Sequence, residues 1–286
     1  MPRWKFHLQQ LQSGARSAIL PVSAVIKLSS PATREFWEIP VLFEDAELLA
    51  LDKPAGLPLS PVPDHPELAS LMKLLHSGIA EGKAWATERG LSYLNHAHFL
   101  DAETSGVILL AKSKPAFMAL ANLFGSNQPA RKYVALVQGS PKEERFEINA
   151  KLAPHPVQVG MMRVDPKLGK KSESSFEVIE RFSDYTLLRC SPLTHRPHQI
   201  RVHLQNSGLR VVGDHLYGGR PLLLSRLKDN YRLKPGREER PLLSRPAIHA
   251  EELTVAHPVS GQNVTITAPL PKDLTVALKY LRLYAK

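Results

Sequence analysis

Short apolar runs bounded by turn residues recur along the chain, and they predict more strands than helices. Residues 41–44 and 48–52 read as two strands around an Asp45-Ala46-Glu47 turn. Lys53-Pro54-Ala55-Gly56-Leu57-Pro58 ends the second, because proline and glycine do not continue a ladder. Val107-Ile108-Leu109-Leu110-Ala111, between a polar loop and Lys112-Ser113-Lys114-Pro115, predicts a short buried strand. β-Branched and aromatic residues predict another over 131–139, with Tyr133, Ala135 and Val137 on one face. A meander follows from Phe146 to Ser191, broken by a basic turn at 167–171, and 184–192 is its clearest strand. Near the C terminus, 248–255 and 264–267 are placed to pair across Gly261.

Fewer stretches show helical spacing. Leu68, Leu71, Met72 and Leu75 predict one helix, with Asp64 and Glu67 as a capping pair and Pro66 in its first turn. Phe117, Leu120, Ala121 and Phe124 predict a second, ending near Gly125. A third runs from His198 to Asn206 after Pro197, with Gly208 as its stop. Ile200 and Leu204 share one face of it, and His198, Arg201 and Gln205 another, where an arginine can be held rigidly against a pocket. Leu274, Ala277, Leu278 and Leu281 predict a closing amphipathic helix.

Length and composition suit a globular protein: 286 residues, 43% apolar, with no internal repeat and no low-complexity tract. A net charge of +10 changes the picture, because it points to a polyanionic partner, nucleic acid first. The lone Cys190 cannot form an internal disulfide, which suits a reducing, cytoplasmic setting and a packing role. No apolar run approaches the roughly 18 residues of a membrane span, so no membrane partner is expected. The first 34 residues hold Arg3, Lys5, Arg16, Lys27 and Arg34 with no acid. They read as an RNA-contacting arm, with an organelle transit peptide as the other reading. Residues 220–246 carry eight Arg or Lys against three acids and read as a basic, loop-rich insertion.

Candidate chemistry is sparse on local motifs alone. The 12 histidines include His96 with His98 and His195 with His198, but no Cys cluster or H-E-x-x-H pattern accompanies them. No metal is expected, and the absence of phosphate-cradling glycine loops gives no support to a nucleotide cofactor. Asp101 and Glu103 would share a face of an extended segment, as a carboxylate pair acting on a glycosidic bond could. Taken alone, Asp101 reads first as a turn residue bonding its own backbone.

Longer stretches decide between these. His98-Phe99-Leu100-Asp101-Ala102-Glu103-Thr104-Ser105-Gly106 resembles the H-R-L-D-x-x-[TS]-[ST]-G signature of RluA-type pseudouridine synthases. Further stretches match that family in order. They are Glu44-Asp45 through Lys53-Pro54-Ala55-Gly56-Leu57, the strand Lys132-Tyr133-Val134-Ala135-Leu136-Val137-Gln138-Gly139, and Thr194-His195-Arg196-Pro197-His198-Gln199-Ile200-Arg201-Val202-His203-Leu204. Gly213-Asp214 with Tyr217-Gly218 comes next, then His249-Ala250, His257-Pro258, Gly261 and Ala268-Pro269-Leu270-Pro271.

The resemblance implies an α+β fold: a mixed, mainly antiparallel sheet with flanking helices and a central basic cleft. It assigns 41–286 to the catalytic domain and leaves 1–40 as a basic N-terminal extension. It implies an isomerase, without metal or organic cofactor, that converts uridine to pseudouridine in structured rRNA or tRNA, and a monomer is expected. By the match, Asp101 is the carboxylate at C1′, Arg201 its ion-pair partner, and Tyr133 the ring stacked on a flipped uracil. His98, Phe99, Arg131, Lys132, Arg196 and His198 are the expected RNA contacts. The chain departs from the pattern at Phe99, where the family has Arg, at His195 for Gly, and at Pro197 for Thr. Phe99 and His195 motivate the alternative, an RNA-binding protein or chaperone of the same fold with impaired catalysis.

Overall fold

The computed structural model describes residues 24–285, apart from 63, 64, 66 and 235. It opens with a hairpin of β1 (Val25–Ser30) and β2 (Glu35–Glu44), and β2 continues into pairing with β3 (Leu48–Lys53). Residue 41 therefore lies inside one continuous strand, and the sheet reaches back to Val25, into the stretch read as an extension. The reason is a short alternation masked by basic composition: Ile26 and Leu28 are buried while Lys27 and Ser29 face out, Lys27 pairing with Glu38 at 3.3 Å. Arg3, Lys5 and Arg16 of the expected arm lie outside the described residues.

α1 (Leu71–Ala80) begins later than its apolar spacing suggests. Ser70 is its N-cap, its hydroxyl accepting the Lys73 N–H at 3.4 Å, and Leu68 stands before the helix. Asp64 and Pro66 of the expected cap fall outside the described residues. The one-turn α2 (Ala84–Thr87) and the two-residue β4 (Asn95–His96) lead to β5 (Ser105–Ala111), which is buried along its whole length. α3 (Lys114–Gly125) is capped by Ser113 and ends where its periodicity ends. β6 (Ala130–Gln138) is the strand expected over 131–139. The meander is β7 (Arg145–Pro154), β8 (Met162–Val164), β9 (Lys170–Arg181) and β10 (Tyr185–Pro192).

α4 (Gln199–Asn206) starts one residue after His198 and closes with Gly208 at φ +79, as expected of a glycine stop. After β11 (Arg210–Val211), the described residues of 212–247 hold only single 3₁₀ turns at His215–Tyr217 and Leu224–Arg226 and an isolated bridge between Leu222 and Leu243. The chain finishes with β12 (Ile248–Ala256), β13 (Asn263–Thr267) and α5 (Lys272–Tyr284), whose Leu274, Ala277, Leu278 and Leu281 are buried.

Among the described residues, thirteen strands form one sheet in the order β1-β2-β3-β5-β12-β6-β10-β9-β7-β8, with β4 beside β5, β13 beside β12 and β11 beside β6. All pairings are antiparallel except β5 with β12. The fold is thus the mixed, mainly antiparallel α+β type. At its centre, register brings one row of residues across five strands: Lys53, Gly106, Ala250, Tyr133 and Cys190. Gly106 makes the row possible. Its φ is +113 and a Cβ there would stand 2.1 Å from the Ala250 carbonyl oxygen, so no other residue fits between β5 and β12. Cys190, fully buried in that row, is a packing residue, and burial pushes its thiol pKa up.

Candidate active site

Asp101 sits in the turn that enters β5, with its own carbonyl accepting the Thr104 N–H at 3.1 Å. The loop is pinned from below. Lys53, fully buried at the end of β3, donates to the carbonyls of Pro54, Leu57 and Ala102, each at 2.9 Å, and the Gly56 N–H also reaches Ala102 at 2.9 Å. Burial lowers the Lys53 pKa to about 7, with Asp101 and Glu103 pulling it back up. Three acceptors around one nitrogen suit its ammonium form. The Lys-Pro-Ala-Gly stretch therefore fixes the backbone beside Asp101. From the other side Arg245 donates to Glu103 O at 3.3 Å, Ile248 O at 3.0 Å and Asp273 at 2.8 Å. One arginine of the basic insertion is thus a structural clamp.

Arg201 reaches Asp101 from α4. Its Nη1 donates to Asp101 Oδ2 at 3.1 Å, while Nε and Nη2 grip Asp214 at 2.7 and 2.8 Å. The guanidinium is 3% exposed and lies face-on to the Tyr217 ring, 5.0 Å from its centroid. Burial works against its charge, but the bonds and charges of Asp214 and then Asp101 outweigh it and raise its pKa. Asp214 is itself fully buried, so Arg201 is held mainly by the residue that cannot reach substrate. It turns its third nitrogen to Asp101, whose side chain keeps 24% of its surface exposed.

His198 caps this arrangement. It stands in the left-handed region at φ +52, which is uncommon for a non-glycine residue. Tyr217 accepts the Met162 N–H at 2.9 Å, and its hydroxyl lies 2.7 Å from His198 Nδ1. The other ring nitrogen, Nε2, faces Asp101 Oδ2 at 3.9 Å. Burial lowers the His198 pKa, against the pull of Asp101. His195, the residue in place of the family glycine, is not left-handed; the conformational demand falls on His198. α4 is anchored to β9 by His203, whose ring nitrogens lie 2.8 and 3.1 Å from the hydroxyls of Ser172 and Ser174.

Asp101, Arg201, Tyr133, His198, His195 and Phe99 line one pocket at the end of the central strands. Tyr133 is buried, which pushes its phenol up to about 12, so it is a neutral hydroxyl at pH 7. Among the expected RNA contacts, Phe99 (57% exposed), Arg196 and His198 line this pocket. The other three do not. His98 is buried, stacked on Phe124 at 4.9 Å, and accepts the Leu109 N–H at 3.0 Å on Nε2, so it supports the loop from inside. Lys132 alternates to the opposite face from Tyr133 and pairs with Glu252 at 2.7 Å. Arg131 shares the Tyr133 face but is buried beside it, 4% exposed. Glu103 is exposed and does not line the Asp101 pocket, so the two carboxylates do not form a pair.

The arrangement holds one aimed carboxylate and one tyrosine ring in the lining of a single pocket. The sequence profile of the RNA pseudouridylate synthase family matches residues 47–206, which contain Asp101, Tyr133 and Arg201. Ribosomal large subunit pseudouridine synthase C of Escherichia coli strain K12 is 34% identical over 244 residues, covering 85% of this chain and 70% of that protein. The chain belongs to the RNA pseudouridylate synthase family. The synthase C of Vibrio cholerae is 32% identical over 280 residues, 96% of this chain and 81% of its own. The solved structure of human RNA Pseudouridylate Synthase Domain Containing 4 shares the fold, with a TM-score of 0.62 at 21% identity over 85% of this chain and 92% of that one. Members of the family are isomerases that convert uridine to pseudouridine in RNA.

Asp214, Tyr217 and Lys53 had no role assigned from sequence. Each lies in a stretch that matched the family, Gly213-Asp214…Tyr217-Gly218 or Lys53-Pro54-Ala55-Gly56, and a charged or hydroxyl side chain inside such a stretch is the signal that points to them. Gly213, at φ +74 with a Cβ position 2.3 Å from Arg245 O, lets the 212–214 backbone pass close enough to deliver Asp214.

Proposed function

We propose that this chain isomerises uridine in ribosomal RNA of the large subunit, with Asp101 as the reacting carboxylate, Arg201 as its ion-pair partner and Tyr133 as the ring that packs on the uracil. The reading rests on one observation: a buried arginine, gripped by Asp214 through two nitrogens, turns its third to a partly exposed aspartate in the same pocket as a buried tyrosine. In the reaction the N1–C1′ bond breaks, the uracil turns, C5 bonds to C1′, and the C5 proton is lost while N1 regains one. The carboxylate acts as nucleophile at C1′ or as base at C2′, and both routes require it ionised and aimed. Arg201 serves that need by fixing one oxygen, leaving the other for the substrate. Tyr133, as a neutral phenol, is suited to stacking and to relaying the C5 proton rather than to acting as a phenolate. The uridine leaves its helix to enter, and the half-buried Arg196 and exposed Phe99 at the rim meet the RNA around it.

The ribosomal substrate is taken from relatives named as large-subunit synthases. The working unit is one chain, since all these side chains come from it, and the expected setting is the cytoplasm. Among the described residues no helix is long and apolar enough to cross a membrane. A binding-only protein would have no use for the buried Asp214–Arg201–Asp101 chain. The test is release of tritium from RNA labelled at uracil C5, offered as ribosomal RNA and as tRNA. Release from ribosomal RNA is expected. Release from tRNA alone would move the substrate, and release from neither, with tight binding, would favour the binding-only reading.

A further inference from the structure

A second cleft, of about 420 Å³, lies on the other side of the Phe99–His195 wall from the Asp101 pocket. Arg131 lies in it, 4% exposed, its guanidinium 5.1 Å from the centroid of the Phe124 ring. None of its three side-chain nitrogens has a hydrogen-bond partner. The Nδ1 atoms of His96 and His98, which line the same cleft, are also unpartnered. Among the described residues, five of the eight buried side-chain N or O atoms without a partner are therefore gathered here. Buried guanidinium groups are rarely left so, because desolvating five donors without an acceptor is costly.

We propose that this cleft is a second nucleobase site, in which Arg131 takes the acceptor edge of an unstacked guanine close to the target uridine. The inference rests on the RNA-isomerase reading above. The polar groups decide the edge. Arg131 has only donors, five N–H groups in one planar fork. A donor-only floor needs adjacent acceptors, and guanine O6 and N7 supply two that match the guanidinium fork. The Hoogsteen edge of adenine would set an amino donor against that floor.

The walls decide base over phosphate. Phe117, Phe99 and His96 line the cleft with flat rings beside the Phe124 ring that carries Arg131, and the Phe99 and His96 rings meet edge to face at 4.5 Å. Burial, with the charge of Arg131, keeps His98 and His195 below their usual pKa, so one cation faces the ligand and not three. Phe99, 57% exposed, stands where the two clefts meet. Its ring separates the target base from the second base, which gives this departure from the family pattern a role as a wedge.

The probe is the ribosomal RNA fragment that the wild-type protein binds most tightly. Each nucleotide in turn is replaced by an abasic unit, and the guanosine at any sensitive position by 7-deazaguanosine, which lacks the N7 acceptor. Kd and C5 tritium release are both measured, with wild type and with Arg131→Gln. One position near the target uridine should weaken wild-type binding by roughly tenfold or more when abasic, and by a smaller factor as 7-deazaguanosine. Arg131→Gln should lose a similar factor on intact RNA and show no further loss at that position. An abasic scan with no sensitive position besides the target, or an Arg131→Gln protein as sensitive as wild type, overturns the proposal. The scan changes only the RNA, so it stands even if the variant folds poorly. A flat scan with normal tritium release sinks this cleft alone. A sensitive guanosine without any tritium release supports the cleft and sinks the isomerase reading.

Discussion

Arg201 and Arg131 occupy nearly the same physical setting and live opposite lives. Each is almost wholly buried, at 3% and 4% exposure, and each lies about face-on to an aromatic ring, 5.0 Å from Tyr217 and 5.1 Å from Phe124. They line adjacent clefts that share Phe99 and His195. Arg201 has two carboxylates and a raised pKa, whereas Arg131 has no hydrogen-bond partner and a lowered one, first through burial. A buried cation with a full set of partners is part of the machine's frame, and its task is to orient a neighbour. A buried cation without partners is a cost to the fold, and such a cost persists where the missing acceptor comes from outside.

Stability measurements by chemical denaturation would break or sharpen that contrast. The largest effect is expected from Arg201→Ala, which strands the buried Asp214 and should cost about 3–5 kcal/mol. A loss under about 1 kcal/mol would mean that Asp214 is not held as the geometry describes. Arg131→Met should act in the opposite direction and stabilise by about 1–3 kcal/mol, because it removes donors that nothing in the protein satisfies. Destabilisation by that variant would assign Arg131 to the frame as well.

The same variant should raise the pKa of His195, now held at about 4 by burial and then by the Arg131 charge, readable in an NMR titration. The sign for stability follows. A histidine near 4 in the fold and near 6.5 when unfolded leaves the unfolded chain with more protons between those values. Its contribution is full above pH 6.5 and is lost as pH falls toward 4, so Arg131→Met should flatten the acid limb of the Tm–pH curve. The smallest effect is expected at the surface. Arg282→Ala removes the exposed pair with Glu180, 2.7 Å apart in the structure, and should change stability by less than about 1 kcal/mol.

The two arginines also show what the sequence could tell. Arg201 was legible because the pattern after Pro197 predicts a helix and the family match carries a role to that position. Most strands were legible too, since β5, β6, β10 and β12 are apolar runs cut by turn residues. β1 was not, because its two buried residues sit among charges that composition assigns to an arm. The partners of Arg201 and the solitude of Arg131 lay beyond reach for a different reason. Asp214 follows Arg201 by 13 positions and Asp101 precedes it by 100, so only folding brings them together. Strand alternation, applied to 131–133, would have turned Lys132 away from the pocket. No local rule marks His98 as buried beneath the loop it begins.

The central claim is that Asp101, aimed by Arg201, carries the isomerisation. Its most direct test is single-turnover tritium release from C5-labelled ribosomal RNA by wild type and by Asp101→Ala, with Kd for the same RNA measured alongside. The account predicts a rate lower by roughly 10⁴-fold or more in the variant. Affinity should stay within about threefold, because Arg201 remains gripped by Asp214 and the pocket keeps its shape. Tritium release by Asp101→Ala at anything near the wild-type rate would contradict the account outright.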